Sequence, residues 1–379
     1  MKEEIESKIK KYLESNRWKV TQRDNMFCFY KARDPETVKR FSFLGFSKRR
    51  RYQSIRETAS NLDNYFRDKK LLDKTSDDIL RTGGETFFLS SGIQNISSEI
   101  NAMTPTNGTY FAIQPVIRSN YQSAIGEGRV SALVNVSTMR SGGTLDDHIR
   151  DIDLWCDWIS KNGLYLGDFV LQLREVLPTN KTAWKSLTGV NLKFKYGDFE
   201  LGTASLLYPD TNQDFLVSDI GFGLERINWG MNKTPSFFDI IGPLPASYRL
   251  APQIMDTART ACLMALSGIS EDHEDQFRVF RKYLQTLSLH EGDFQSLTAY
   301  YYSFWKIFID PVRSESESSG YIQRHLNYER NLDLLRRLKI AKVPKSLNSL
   351  LVSPPNIFVE EIIRRDICTM DCLRGIYGN

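Results

Sequence analysis

The feature that most constrains this chain is a change in the period of its apolar residues. From about Glu85 to Asn228 the sequence is rich in β-branched and aromatic residues, in runs such as "TYFAIQPVIRS", "RVSALVNVSTM", "VNLKFKYGDFELGTASLLY" and "FLVSDIGFG" broken by Gly, Asn, Pro and Ser. Within "VNLKFKYGDF", apolar Val190, Leu192, Phe194 and Tyr196 alternate with polar neighbours, the pattern of an antiparallel strand with one buried face. "TFFLSSG" reads as an earlier strand of the same kind, and Leu145 to Asn162 reads as one helical insertion with Ile149, Ile152 and Trp155 on a common face.

After Gly230 the spacing becomes helical. "YRLAPQIMDTARTACLMALSG" carries a broad apolar stripe ending at Gly268, and "DQFRVFRKYLQTL" and "YIQRHLNYERNLDLLRRLKIAK" follow as further amphipathic helices. Strands followed by a run of helices predict an α+β fold. We expect an antiparallel sheet flanked by helices over residues 1–245, then a mostly helical domain over 246–379, with the boundary near Pro243 to Arg249. The chain opens on a helix with Ile5, Ile9, Tyr12 and Leu13 on one side. The charged stretch to about Asp78 includes the run Lys48 to Arg51, readable as a solvated loop or as a polyanion contact.

Composition narrows the compartment more than the chemistry. A hydrophobic fraction of 41% with 25% charged residues is that of an ordinary globular chain, and a net charge of +4 over 379 residues neither demands nor excludes a nucleic-acid partner. The first residues lack the apolar core of a signal peptide, and no apolar run is long enough to span a membrane. Five scattered cysteines suit a reducing compartment. A cytoplasmic protein with no membrane association is the expectation. Cys368 and Cys372 form a C-x3-C pair, but no second pair or neighbouring histidine completes a zinc site.

Two segments could carry chemistry. In "VSDIGFGLERINWG" an apolar strand passes through Gly221 and Gly223 into Leu224-Glu225-Arg226. Glycines admit close backbone approach, and an arginine in the first helical turn can fork onto phosphate oxygens. The segment matches neither the nucleotide P-loop nor the dinucleotide fingerprint, and an ordinary glycine turn would look similar. Arg118 ends the strand of Ala112, Ile113, Val116 and Ile117 and enters the loop "SNYQSAIGEGR". That loop reads equally as a surface hairpin or as a flap closing over a nucleotide.

In order along the chain, these segments resemble motifs 2 and 3 of the class II aminoacyl-tRNA synthetases, with the nearest likeness to the alanyl-tRNA synthetase family. "FFLSSGIQ" is similar to the family's early apolar strand, "QPVIR" to its motif 2 strand, "VNVSTMR" to the return strand, and "VSDIGFGLERI" to motif 3. "MDTARTACLMALSGI…FRVFRKYL" and "YERNLDLLRRL…IFVEEI" resemble the helical tRNA-recognition region. The resemblance covers most of the chain from about Gly84. It implies activation of an amino acid by ATP with Mg²⁺, as an aminoacyl-adenylate, then transfer to a tRNA or to a substitute acceptor, either a carrier protein or a small molecule. Arg118 would hold the α-phosphate and Arg226 the γ-phosphate. Asp219 would pair with the substrate ammonium and Gly221 would line its pocket, while Glu127 and Glu200 would contact adenine or Mg²⁺.

The departures from the family are specific. "MRSGGTLDDHIR" replaces a His-His-Thr-Phe-Phe-Glu run, and Gly202 and Thr203 stand where the family has tryptophan and asparagine. A pocket lined by Gly202 and Thr203 could take an amino acid other than alanine. The residue that reads the tRNA acceptor stem falls near His273 in the acidic stretch "SEDHEDQF", and acid beside phosphate is unfavourable. The family's editing domain has no counterpart among these residues. Two functions follow: a specialised adenylate-forming paralogue, or a non-catalytic relative that keeps the fold to bind or regulate. Convergence of Arg118, Arg226 and Asp219 on one cleft would separate them.

Overall fold

The alternation read from the sequence builds a sheet, and the helical spacing builds the layers around and after it. The computed structural model describes residues 1–23, 26–31, 52–81, 86–119, 125–126, 128–176, 187–197, 199–241, 251–290, 292–340, 343–370 and 372–373. The run Lys48 to Arg51 lies outside them. The chain divides into two compact units, Met1–Ser247 and Tyr248–Asn379.

In the first unit, α1 (Lys2–Ser15) buries Ile5, Ile9 and Leu13, while Tyr12 lies half-buried and donates its hydroxyl to Asp153 at 2.7 Å. Next come β1 (Lys19–Arg23), β2 (Met26–Tyr30) and α2 (Ile55–Asp68). Ser54 and Glu57 cap α2 reciprocally, satisfying two otherwise orphaned backbone donors. Then follow β3 (Leu72–Asp73), α3 (Ser97–Asn101), β4 (Tyr110–Ile117), β5 (Ala132–Gly143) and α4 (Leu145–Lys161). The unit closes with β6 (Phe169–Val176), β7 (Leu187–Tyr196), β8 (Phe199–Pro209), β9 (Leu216–Gly223) and α5 (Leu224–Asn232).

These strands form a nine-stranded sheet in the order β1-β2-β6-β7-β8-β9-β5-β4-β3, antiparallel throughout except for the short β3–β4 pair. The α+β architecture expected from the sequence is therefore observed. "TFFLSSG" departs from its predicted strand. It forms bends leading into a 3-10 turn at Gly92–Ile96, because Ser91 and Gln94 cap that turn reciprocally.

The two faces of the sheet differ. One is aromatic: the Phe222 ring sits 4.4 Å from that of Trp155 and 5.3 Å from that of Phe194, and Phe66 of α2 packs on Trp155 at 5.1 Å. The Trp155 indole N–H donates to Thr138 at 2.9 Å, so this core leaves no indole donor unsatisfied. On α4 the buried side runs through His148, Asp151, Ile152, Trp155 and Ile159, and Ile149 is only half-buried. Of the predicted face, Ile152 and Trp155 are buried as expected, and His148 takes the place of Ile149. Polar His148 and Asp151 can be buried because Ser218 and Thr109 meet them.

The second unit is helical: α6 (Pro252–Leu266), α7 (Glu274–Ser288), α8 (Phe294–Trp305), α9 (Glu315–Arg337) and α10 (Pro355–Arg364). Buried Arg259 of α6 stacks between Phe304 and Trp305 at 4.8 and 4.3 Å. Arg281 of α7 donates to buried Glu329 of α9 at 2.7 Å. The acidic stretch around His273 has a local cause. Glu274 and Asp275 occupy the first turn of α7, where carboxylates favour the helix dipole, and His273 Nδ1 accepts from the Ser270 backbone at 3.2 Å. Among the described residues no helix is long and apolar enough to cross a membrane.

Candidate functional site

The sheet's other face is polar around the end of β9, while Ala112, Met139, Leu207 and Val217 on the same face pack in an apolar cluster with Ile93 and Ile96. Asp219, Gly221 and Gly223 point away from the aromatic face, since the alternating Phe222 points into it. Beside them β5 places Met139, Ser137 and Asn135, and β8 places Ser205 and Thr203. Further out, Gln114 lies opposite Asn135, Lys193 opposite Thr203, Asn191 opposite Ser205, and Gln172 and Arg174 opposite Lys193 and Asn191. A polar face in the middle of a sheet is costly unless something polar covers it. Ser137 Oγ, Gln114 Nε2 and Asn191 Oδ1 are buried here with no hydrogen-bond partner among the described residues.

Arg118 stands at one side of this face. Its backbone N–H donates to Ser131 O at 2.7 Å, and its Nε donates to Ser90 O at 2.9 Å. Ser90 is held in turn by Gln94, whose Oε1 accepts from the Ser90 N–H at 2.7 Å and from its hydroxyl at 3.0 Å. Gly92 ties the same segment to the sheet by donating its N–H to Asn135 Oδ1 at 2.9 Å. A side chain at that point would have to displace Ser137, because a Cβ there would lie 1.9 Å from Ser137 Oγ.

Asp219 is 7% exposed and takes no hydrogen bond among the described residues. Burial pushes its carboxyl up to about 7, with the Arg118 charge pulling the other way. A carboxyl so placed is poised to accept a cationic partner.

Arg226 stands at the end of β9, in the first turn of α5. The preceding Glu225 is buried and accepts the Val134 N–H through both oxygens at 3.0 Å, which pins α5 to β5. Arg226 Nε donates to Gly128 O at 2.6 Å and its Nη1 to Glu200 O at 3.1 Å. The Glu200 carboxylate lies 2.7 Å from Lys193 Nζ and 3.9 Å from Arg226 Nη1. Burial alone would raise its pKa, but the hydrogen bond and charge of Lys193, with Arg226 and Arg174, hold it below the usual carboxylate range.

Of the residues singled out in the sequence, Arg118, Asp219, Gly221, Thr203, Glu200 and Arg226 thus belong to one face and its rim. Gly202 does not join them. It pairs with Phe222 on the aromatic side, where a Cβ would come 2.3 Å from Gly221 O and 2.4 Å from the Phe222 ring. Glu127 lies outside the described residues. Lys193, Asn135, Ser137, Ser205 and Gln114 escaped the sequence reading. The signal that could have found them is parity: each sits two or four residues from a recognised position on a strand, or directly across from one.

The face carries the cations Arg118, Arg174, Lys193 and Arg226 against the carboxylates Asp219 and Glu200. Such an excess suits a polyanion whose one end also bears a cationic group. Among the described residues, Glu200, the expected ligand, is already engaged by Lys193, and no group of three or more His, Cys, Asp or Glu forms a protein cage for a metal.

No family model matches the chain, and no curated protein matches it. Solved structures similar to it include a crystal structure of pyrrolysyl-tRNA synthetase from Desulfitobacterium hafniense, at 14% identity and a TM-score of 0.37, covering 51% of this chain and 74% of that one. A second structure of a pyrrolysyl-tRNA synthetase from the same organism matches at 16% identity and a TM-score of 0.37, covering 51% of this chain and 71% of that one.

Proposed function

We propose that the polar sheet face activates an amino acid with ATP. A substrate carboxylate oxygen attacks the α-phosphorus, the bond between that phosphorus and the bridging α,β oxygen breaks, and pyrophosphate leaves with that oxygen. The nucleophile is already anionic, so no side chain need act as base. The work is positioning and charge neutralisation. In this reading Asp219 in its charged form holds the substrate ammonium over the bare backbone of Gly221. Arg118 neutralises the α-phosphate, and Arg226 takes the terminal phosphate beyond the end of β9. Thr203 and Ser205 floor the side-chain pocket. The acyl group then passes to a tRNA, a carrier protein or a small-molecule acceptor.

One observation carries the reading. Arg118 from one segment and Asp219 and Arg226 from another border a single polar face whose buried Ser137, Gln114 and Asn191 atoms lack partners among the described residues. The test is ATP–pyrophosphate exchange with each amino acid in turn, without acceptor. Exchange with one amino acid, lost in Arg226→Ala and Asp219→Asn, supports it. If folded protein shows no exchange with any amino acid or acceptor, the chain is a non-catalytic binding or regulatory relative.

A further inference from the structure

Resting on the nucleotide reading above, the arrangement around Glu200 goes beyond it. Lys193 projects from β7 onto the polar face, with its side chain 19% exposed and its ammonium 2.7 Å from Glu200 Oε2. Arg226 approaches the same carboxylate from α5, 17% exposed, and fixes its guanidinium on the Gly128 and Glu200 carbonyls. Arg174 adds a third positive charge. One carboxylate therefore faces three cations, and the cluster keeps a surplus of positive charge.

We propose that Lys193 and Arg226 form a built-in cation pair that binds the β- and γ-phosphates of the nucleotide directly, with Glu200 as their counter-ion and not as a metal ligand. An ammonium has three donors, so Lys193 can keep one on Glu200 and offer the others to phosphate oxygens. The Arg226 guanidinium presents a fixed fork that already has two backbone acceptors to orient it. The Glu200 carboxylate restrains the Lys193 ammonium, and the Gly128 and Glu200 carbonyls restrain the Arg226 guanidinium, which lowers the entropy lost on binding. A lysine at this distance competes with a divalent ion for the same carboxylate oxygen, and the ion would have to displace it. The pair should accordingly recognise a polyphosphate chain, with or without a divalent ion riding on it, and ignore a monophosphate nucleotide.

The experiment is titration calorimetry on the full chain with ATP, AMP and inorganic tripolyphosphate, each in EDTA and in Mg²⁺. The variants are Lys193→Met, Lys193→Arg and Glu200→Gln, with circular dichroism melting curves as the folding control. Native protein should bind ATP and tripolyphosphate in EDTA. Lys193→Met should weaken both by about tenfold or more, as expected for loss of a charge-assisted hydrogen bond. Lys193→Arg should recover most of that loss, AMP should bind Lys193→Met and the native chain alike, and Glu200→Gln should still bind ATP and tripolyphosphate in EDTA, with an affinity altered by loss of the counter-ion. The proposal is overturned if ATP and tripolyphosphate bind only with Mg²⁺, if Glu200→Gln abolishes their binding in Mg²⁺, or if Lys193→Met changes neither affinity. The two readings fail separately. Tripolyphosphate binding without ATP binding upholds the cation pair and sinks the nucleotide reading. ATP binding indifferent to Lys193→Met does the reverse.

Discussion

Arg226 donates its Nε–H to the carbonyl oxygen of Gly128 at 2.6 Å, joining the loop after Arg118 to the helix after β9. Gly128 has a φ of +84°, and a Cβ there would meet only ordinary contacts with Arg226 and Trp229 at 3.6 Å and beyond. The restriction is therefore conformational and not steric. Gly128→Ala should strain the backbone by about 1–3 kcal/mol and shift the carbonyl that orients Arg226. We expect weaker ATP binding and a lower melting temperature. Gly128→Asn should do less harm on both counts, since asparagine tolerates positive φ. Calorimetry and thermal melts on the two variants check this ordering, and equal damage from both would refute it.

Arg118 has two jobs that a substitution can separate. Its Nε holds Ser90, and the rest of its guanidinium remains beside Asp219. Arg118→Lys keeps the charge but loses the planar fork, so it should not rescue function. Pyrophosphate exchange should fall by roughly 10²–10³-fold in Arg118→Ala, the scale for loss of one preorganised charge-stabilising donor. Arg118→Lys should recover less than a tenth of that loss. Near-native exchange in Arg118→Lys would mean that position and charge suffice there.

Gly202 and Thr203 are neighbours in sequence on opposite faces of one strand, and they mark where reading the sequence succeeded and where it stopped. The sheet, the later helices and the turn from β9 into α5 were legible because period and glycine placement are local signals. Which face a residue joins was not, because that depends on register across β8 and β9 and on a bulge between Phe194 and Lys195. Lys193 escaped for the same reason: in sequence it is one of two lysines in a strand, and only pairing with β8 brings it to Glu200. The consequence is testable. Gly202→Ala should destabilise the fold by about 1–3 kcal/mol through overpacking against Phe222, with no change in which amino acid is bound. Thr203→Val should leave the melting temperature nearly unchanged and alter amino-acid preference. Denaturant unfolding and exchange assays on both variants distinguish the faces.

Asp219 gives the site a pH signature. Its folded pKa of about 7 lies above the ordinary carboxylate value, so between those limits the folded state holds the extra proton. Stability from this group is full below the unfolded pKa and is lost as pH rises through about 7, by about 1.4 kcal/mol per unit of pKa difference. Asp151, raised to about 6 by burial despite Arg140 and Thr109, acts in the same direction. Asp219→Asn should flatten the fall in stability between pH 5 and 8. Amino-acid binding needs the charged form, so its affinity should rise through pH 7 and be accompanied by proton release, visible as a buffer-dependent binding enthalpy. A binding enthalpy independent of buffer would rule out the ammonium–Asp219 pair.

His148 pulls stability the other way. It is wholly buried under the aromatic face, its Nδ1 2.7 Å from Ser218 Oγ, and burial lowers its pKa to about 3. The unfolded chain takes up this proton near pH 6.5 and the folded chain only near 3. Stability from this group is thus present above the unfolded pKa and is lost as pH falls between those values. A neutral side chain that keeps a hydrogen bond to Ser218, as in His148→Gln, should cost some packing at pH 8 yet unfold less readily than the native chain as pH is lowered from 6 to 4. Because Asp219 and Asp151 both gain stability over much of the same range and His148 alone loses it, the native curve should rise modestly with acidification there. His148→Gln should steepen that rise, and Asp219→Asn should bring it close to flat. Chemical unfolding at each pH measures both slopes, and parallel curves for the two variants would show that neither buried group governs the response.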